Sequence, residues 1–339
     1  MPKKAVLLLN LGSPDSPTVP DVRRYLREFL SDERVLDNPA LVRWLVLNLF
    51  ILPNRPKSSA EAYRKVWTDD GAPLIAISRR QRDLLEAELG VPVYLAMRYG
   101  NPSIPNVIER IVNDGVEDLY LAPLYPHYAM SSYETVVVRV REEIARLKPD
   151  LPNTLLQPFY NDPQYIDALV ESAQPYLEQD YDRLLFSFHG IPERHLHKSD
   201  PSHAHCLRTP GCCASTHPAH ATCYRHQCFE TVRAFTRRAH VPDGKYLVSF
   251  QSRLGRDPWL QPYTDQTLER LGRDGVRKVL VITPAFVTDC LETLEEIAMG
   301  GSEIFQECGG KSLTPVPCLN DHPAFIRFMA GKIRPWAEG

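Results

Sequence analysis

Long apolar runs are missing from this 339-residue chain. The most apolar stretch, "LVRWLVLNLFILP" at 41–53, contains Arg43 and Asn48 and falls short of the about 20 residues a membrane-spanning helix needs. What remains for it is a core helix or a surface lip that touches lipid. Excess charge is missing too: 39 Lys plus Arg face 42 Asp plus Glu, without a block of one sign. The basic footprint of a nucleic-acid binder is therefore absent, and no nucleic-acid partner is expected. The opening "MPKKAVLLLNLGSPDSP" has two lysines and a short apolar run, but Asn10 interrupts it and no small-residue cleavage site follows, so it reads as a buried first strand rather than a secretion signal. A cytoplasmic, reducing setting is expected, in which a disulfide framework explains cysteines poorly. Glycine-rich phosphate cradles are also lacking: "FQSRLGRDPWLQPYTD" has neither phosphate-loop nor dinucleotide spacing.

What is present is alternation. The short apolar runs "KAVLLLN", "VYLAM", "EDLYLAPLY", "RLLFSFH", "KYLVSFQS" and "RKVLVITP" are separated by amphipathic stretches such as "SRRQRDLLEAEL" and "TVVVRVREEIARL". This pattern predicts an α/β fold of parallel sheets covered by helices. At roughly 150 residues per domain the length suggests two, and a faint internal repeat agrees. "LLNLGSP" (8–14) resembles "FSFHGIP" (186–192), and "DGVEDLYLAPLY" (114–125) resembles "DGVRKVLVITPAF" (274–286). The boundary is expected in the proline-rich "LKPDLPNTLLQPFYNDP". Ligands of open parallel sheets bind beyond the carboxyl ends of strands. The repeat sets Leu11 and His189 there, one as an apolar wall and the other as a chemical group.

A histidine at a strand end, followed by a glycine that permits a sharp turn, suits proton transfer or metal ligation, although a lone histidine is more often a hydrogen-bonded structural residue. In "TPAFVTDCLETLEEIAMGG", Glu292 shares a helix face with Glu295 or Glu296. These carboxylates could pass protons or hold a hard cation. The competing explanation is helix capping, because Asp289 and Glu292 have capping-box spacing. Trp259 could stack on a flat ligand, or simply fill a core. Arg98 and Tyr99 in "AMRYGNP" offer a grip for a carboxylate, against a surface salt bridge. "APLYPHYAMSSYET" adds Tyr125, His127 and Tyr128 at a further strand end. The implied ligand is large, flat and carboxylate-bearing.

With these residues assembled, the chain resembles the ferrochelatase family over essentially its full length. The matching stretches are "LLNLGSP", "VRRYLREFLSDERVLD", "YRKVWTDDGAPL", "MRYGNP", "LYPHY", "SFHGIPER", "FQSRLGRDPWLQPYTD" and "PAFVTDCLETLEEI", in that order. The resemblance implies two similar Rossmann-like domains (1–155 and 156–320), each a four-stranded parallel sheet, with a C-terminal helix (321–339) returning toward the first. It implies insertion of Fe²⁺ into protoporphyrin IX, the last step of haem synthesis, with release of two protons. The apolar lip points to the protoporphyrin-using branch and to peripheral contact with an inner membrane. Carried over by position, the resemblance implies that His189 is the catalytic histidine, as base or as ligand of the substrate iron, and that Glu292 is its acidic counterpart toward the same iron. Leu11, Arg98, Tyr99, Tyr125 and Trp259 match porphyrin-pocket residues. Some members have histidine where this chain has Cys290, which puts a fixed proton relay through that position in doubt.

The remaining peculiarity is "HAHCLRTPGCCASTHPAHATCYRHQC" (203–228), holding five of the eight cysteines in the order C-x5-C-C-x9-C-x4-C. Structural zinc usually shows paired C-x2-4-C knuckles, and common ferredoxin spacings do not match either. Some ferrochelatases carry a four-cysteine 2Fe–2S cluster within an internal segment, and this insert resembles that kind. Five candidates stand for four places: Cys206, Cys212, Cys213, Cys223 and Cys228, with Cys212, Cys213 or Cys228 as the spare. Structural zinc and an unmetallated redox or disulfide loop are the alternatives. Cys290, Cys308 and Cys318 are dispersed and read as small buried hydrophobes.

Overall fold

The computed structural model describes residues 2–253, 255 and 257–339. Two four-stranded sheets are formed, both entirely parallel. The first contains β1 (Lys4–Asn10), β2 (Val93–Met97), β3 (Asp118–Pro123) and β4 (Asn153–Leu155), ordered β2-β1-β3-β4. The second contains β5 (Arg183–His189), β6 (Tyr246–Gln251), β7 (Lys278–Ile282) and β8 (Ser312–Pro315), ordered β6-β5-β7-β8. The sequence repeat is thus a repeat of topology. The central strands are apolar throughout because helices cover both faces of a parallel sheet. Ala5 to Leu9 of β1 and Leu184 to Phe186 of β5 are each 0% exposed.

The chain divides into two compact units, one comprising residues 1–124, 130–157 and 329–339, the other 125–129 and 158–328. In the first, the end of the C-terminal helix (Pro323–Glu338) is tied to the sheet by Lys4 Nζ donating to Trp336 O at 2.7 Å and Trp336 Nε1 donating to an Asp118 carboxylate oxygen at 3.1 Å. In the second, Leu185, Val279, Val281, Ile297 and Phe305 form part of a core between β5, β7 and the helices after β7.

The two glycines paired by the repeat have the same job. A Cβ on Gly12 would lie 1.8 Å from Tyr99 O, and one on Gly190 would lie 2.8 Å from Gln251 O. In each unit the chain leaves the central strand pressed against the backbone of its neighbour, where only glycine fits. The segment 41–53 is not a core helix. A helix (Ala40–Leu45) runs through a π-helical turn (Val46–Ile51) into the helix Leu52–Val66, anchored by buried Leu47 and Leu52. Leu41, Trp44, Leu49 and Phe50 are 57–70% exposed. Among the described residues no helix is long and apolar enough to cross a membrane.

Candidate active site and cysteine centre

His189 is the last residue of β5, half-buried. Its Nδ1 lies 2.6 Å from Gly190 O. A carbonyl oxygen can only accept, so Nδ1 carries a proton, and whenever the ring is neutral its lone pair is on Nε2. The Gly190 N–H donates to Gln251 O at 2.7 Å, and Tyr224 Oη donates to His189 O at 2.9 Å. Phe286, after β7, lies edge-on to the imidazole at 6.2 Å between ring centroids. Trp259 joins the same neighbourhood through a bridge to Pro192, with its Cε3 3.4 Å from where a Gly190 Cβ would stand. Of the stretch around Trp259, Leu254 and Arg256 lie outside the described residues.

The acidic stretch folds as a π-helix, Glu292–Gly301. Its i→i+5 bonding makes a wider turn than an α-helix, bringing residues four apart closer to one line, and π-turns recur at functional sites. Glu296 accordingly feels both Glu292 and His189. Burial raises the Glu296 pKa above the usual carboxylate value, against the lowering pull of the Ser252 hydroxyl and of His189. Ser252 follows β6 at φ 67°, in the left-handed region, and donates its hydroxyl to Glu296. On its solvent side a cavity of about 430 Å³ is lined by Gln251, Ser252, Arg253, Asp265, Glu295 and Glu296. Capping does not account for these acids. Asp289 accepts from Thr293 Oγ1 at 2.8 Å and from Asn320 Nδ2 at 2.7 Å, so its carboxylate staples the loop before the helix to the loop after β8.

A carboxyl whose pKa rises on folding stabilises the folded state below its unfolded pKa and loses that contribution as pH climbs through the folded value. Glu296→Gln should therefore raise the melting temperature at pH 8 relative to the parent while leaving it nearly unchanged at pH 4, and should lower turnover. Thermal melts at both pH values check this; equal shifts at both would refute the electrostatic cost.

In the first unit Leu11, Arg98 and Tyr99 come together, because Arg98 N donates to Asn10 O at 2.8 Å and Tyr99 N to Leu11 O at 2.9 Å. The Arg98 ion pair is half-buried. Its guanidinium contacts the Asp32 carboxylate, which is 4% exposed, donates from Nε to Thr135 Oγ1 at 2.7 Å and stacks on Tyr99 at 4.5 Å. Burial pulls the Asp32 pKa up, but hydrogen bonds from Thr135 and the Arg34 N–H, with the Arg98 charge, outweigh it and hold the pKa below its usual value. Tyr99 is 0% exposed and donates its hydroxyl to Asp32 at 2.9 Å, so it underpins Arg98. Tyr125 belongs to the second unit and is 9% exposed. Neither Asp32 nor Ser252 was marked by any sequence pattern, since each acts through partners distant in the chain.

The cysteine insert is a loop closed at both ends. The Asp200 carboxylate accepts the backbone N–H groups of Ser202, His205 and Cys206 at 2.8–2.9 Å, and the short 3-10 helix Pro218–Thr222 leads into the helix Tyr224–Arg238. All five thiols are buried and none is disulfide-bonded. Cys212 and Cys213 sulfurs are 3.9 Å apart, and Cys223 lies against both Cys206 and Cys213. Burial, the leading cause, pushes the Cys206 thiol up to about 11. The Leu207 N–H points at Cys212 Sγ (3.4 Å) and Arg225 Nη1 at Cys213 Sγ (3.2 Å). Cys228, one turn into the helix, lies against the Tyr224 hydroxyl. Four of the insert's histidines stack in pairs, His205 on His217 and His220 on His226. Among the described residues no three His, Cys, Asp or Glu side chains are arranged to hold a metal ion as they stand.

Twin parallel sheets of this kind, flanked by helices, make two Rossmann-like domains. The chain is similar to SirB from Bacillus subtilis with Fe³⁺ (TM-score 0.56, 13% identity, 99% of this chain and 96% of that one). It is also similar to the sirohydrochlorin chelatase SirB from Bacillus subtilis subspecies spizizenii in complex with cobalt (TM-score 0.53, 11% identity, the same coverage). Those likenesses concern the fold alone. The ferrochelatase family model matches residues 3–335. Ferrochelatase of Opitutus terrae is 56% identical over 341 residues, covering 100% of this chain and 99% of the relative. Ferrochelatase of Pseudomonas entomophila is 53% identical, with 98% of each covered. The chain belongs to the ferrochelatase family.

Proposed function

We propose that the chain inserts Fe²⁺ into protoporphyrin IX, with His189 receiving a pyrrole proton or guiding the ferrous ion through Nε2. The observation that carries the reading is the tautomer: Nδ1 is committed to Gly190 O, so the lone pair of the neutral ring is on Nε2. A planar porphyrin hides its nitrogens from a hydrated ion, so the ring must be buckled, two N–H protons removed and iron stripped of water. Walls shaped for the bent ring lower that barrier, and in the second unit Trp259, Phe286 and Tyr125 are assigned to them. Glu292 and Glu296 take protons from the imidazole toward the cavity beside the π-helix. The buried Glu296 carboxyl, with its raised pKa, is suited to accept a proton and release it. Arg98, held by Asp32, supplies fixed positive charge for a propionate. The test is anaerobic turnover with Fe²⁺ and protoporphyrin IX, followed as loss of porphyrin fluorescence. Binding without turnover would leave a porphyrin carrier, and turnover only with another tetrapyrrole would relocate the substrate.

The donor set of the insert suits a 2Fe–2S cluster held by Cys206, Cys212, Cys213 and Cys223. Soft thiolates are the ligands that iron–sulfur clusters take. The N–H groups aimed at Cys212 and Cys213 are the donors that anionic, metal-bound sulfur requires, and the Arg225 guanidinium balances its charge. When bound, such a cluster supplies a multidentate cross-link and one-electron chemistry. Cys228, fully buried and turned to Tyr224, is the spare.

Residues 41–50 form a peripheral membrane lip. Trp44 there is 58% exposed and should report insertion: its emission should shift to the blue with anionic vesicles, and Leu49→Glu with Phe50→Glu should abolish both shift and co-sedimentation. An unshifted parent spectrum would rule out lipid contact.

A further inference from the structure

His189 sits where the sheet stops supporting it. On one side β5 pairs with β6 as far as His189 opposite Gln251. On the other the ladder with β7 ends at Phe186 opposite Ile282, three residues earlier. The Gly190 N–H points toward β6, because it donates to Gln251 O. Across a trans peptide the carbonyl points the opposite way, so the His189 C=O faces the side on which the sheet supplies no donor. A buried carbonyl left there unpaired is costly. The Tyr224 hydroxyl fills the gap at 2.9 Å.

Tyr224 is not a neutral place from which to supply that bond. It follows Cys223 directly and opens the helix Tyr224–Arg238, so its backbone is set by the cysteine loop. Its hydroxyl also touches the Cys228 thiol one turn on, and its ring is 5% exposed and packs edge-on against His127 at 5.8 Å. Gly190 O stands one residue's torsions beyond the His189–Gly190 peptide, so that peptide constrains where it lies, and Gly190 O in turn decides which imidazole nitrogen bears the proton. A chain of direct contacts therefore runs from Cys223 through Tyr224 and the His189 carbonyl to the ring.

We propose that Tyr224 is a positioning residue for His189, through which the state of the cysteine loop sets the orientation of the reacting imidazole. It touches neither substrate nor metal. Loosening of the loop moves Tyr224, leaves the 189–190 peptide held only by the Gly190 N–H bond to Gln251 O, and weakens the hold of Gly190 O on Nδ1. The inference rests on His189 being the reacting imidazole, but not on what the loop binds.

The deciding variant is Tyr224→Phe in the full chain, which keeps the ring against His127 and removes only the hydroxyl. Expected is a fall in kcat of roughly ten- to hundredfold, the scale of a misplaced catalytic group, with KM for protoporphyrin unchanged. Long-range N–H correlation spectra should show the His189 ring leaving its single Nδ1–H tautomer. Cys206→Ser, which perturbs the far end of the loop, should move the His189 signals in the parent but not when combined with Tyr224→Phe. The proposal is overturned by an unchanged kcat, by lowered kcat with His189 signals intact (a merely structural role), or by Cys206→Ser moving those signals equally in both backgrounds. Retained turnover in His189→Ala would instead remove the reading on which the proposal rests.

Discussion

His189→Ala protein should bind protoporphyrin IX with near-parental affinity and metallate it about a thousandfold more slowly, the scale at which a positioned proton acceptor acts. The two halves of the expectation come from different parts of the chain. Affinity is assigned to apolar walls and to the half-buried Arg98–Asp32 pair, none of which changes. Rate is assigned to the Nε2 lone pair, which disappears. His189→Gln is the finer probe, because an amide can contact Gly190 O and fill the space without providing an imidazole base. A loss as large as that of alanine would assign the effect to proton transfer or iron guidance rather than to filling space. Fluorescence quenching titrations give the binding, and anaerobic initial rates give the turnover. Porphyrin affinity falling in step with rate would sink the assignment, since it would make His189 a binding residue.

Cys213→Ser should lose iron and acid-labile sulfide together and melt about 10 °C lower, because metal–ligand bonds absent from the unfolded chain count directly toward folding. Cys213 combines a neighbouring thiol at 3.9 Å with the Arg225 guanidinium at 3.2 Å, so replacing its sulfur with a hydroxyl leaves an incomplete ligand set and a weaker partner for the half-buried guanidinium. Cys228→Ala should keep the iron, the sulfide and the visible spectrum. Iron and sulfide analysis with absorption spectra on anaerobically purified protein decides the matter. Iron lost from Cys228→Ala but kept by Cys213→Ser would reverse the assignment of the spare. One equivalent of zinc in colourless parent protein would remove the cluster altogether.

Much of this was legible in the sequence because it depends on local chemistry. Continuous apolar runs such as "VLLL" and "RLLFSF" announce parallel strands buried on both faces, and the repeated strand-Gly-Pro ends mark Leu11 and His189 as equivalent tips. Glycine there is a local necessity too, since any Cβ would meet the backbone of the adjacent strand. A cysteine-dense insert is conspicuous by composition alone. The family motifs lie in order along the chain, and the resemblance proposes His189 and Glu292 for the site by position.

Other features depend on residues far apart in sequence meeting in space, which no local pattern encodes. Asp32 and Arg98 are 66 positions apart, and only folding brings them into a half-buried ion pair. Glu296 could be seen as a helix-face acid, yet its raised pKa comes from the burial that tertiary packing imposes, and its Ser252 partner arrives from β6 across 44 positions. The widened π turn that aligns Glu296 with Glu292 has no residue signature of its own. The apolar segment at 41–53 could have been core or surface on hydropathy alone, and packing turned Leu47 inward while leaving Trp44 and Phe50 in solvent. Composition and periodicity determined which elements form and which side chains are chemically able. The tertiary structure alone decided their charge, tautomer and partners, because those depend on distance and dielectric, which sequence spacing does not specify.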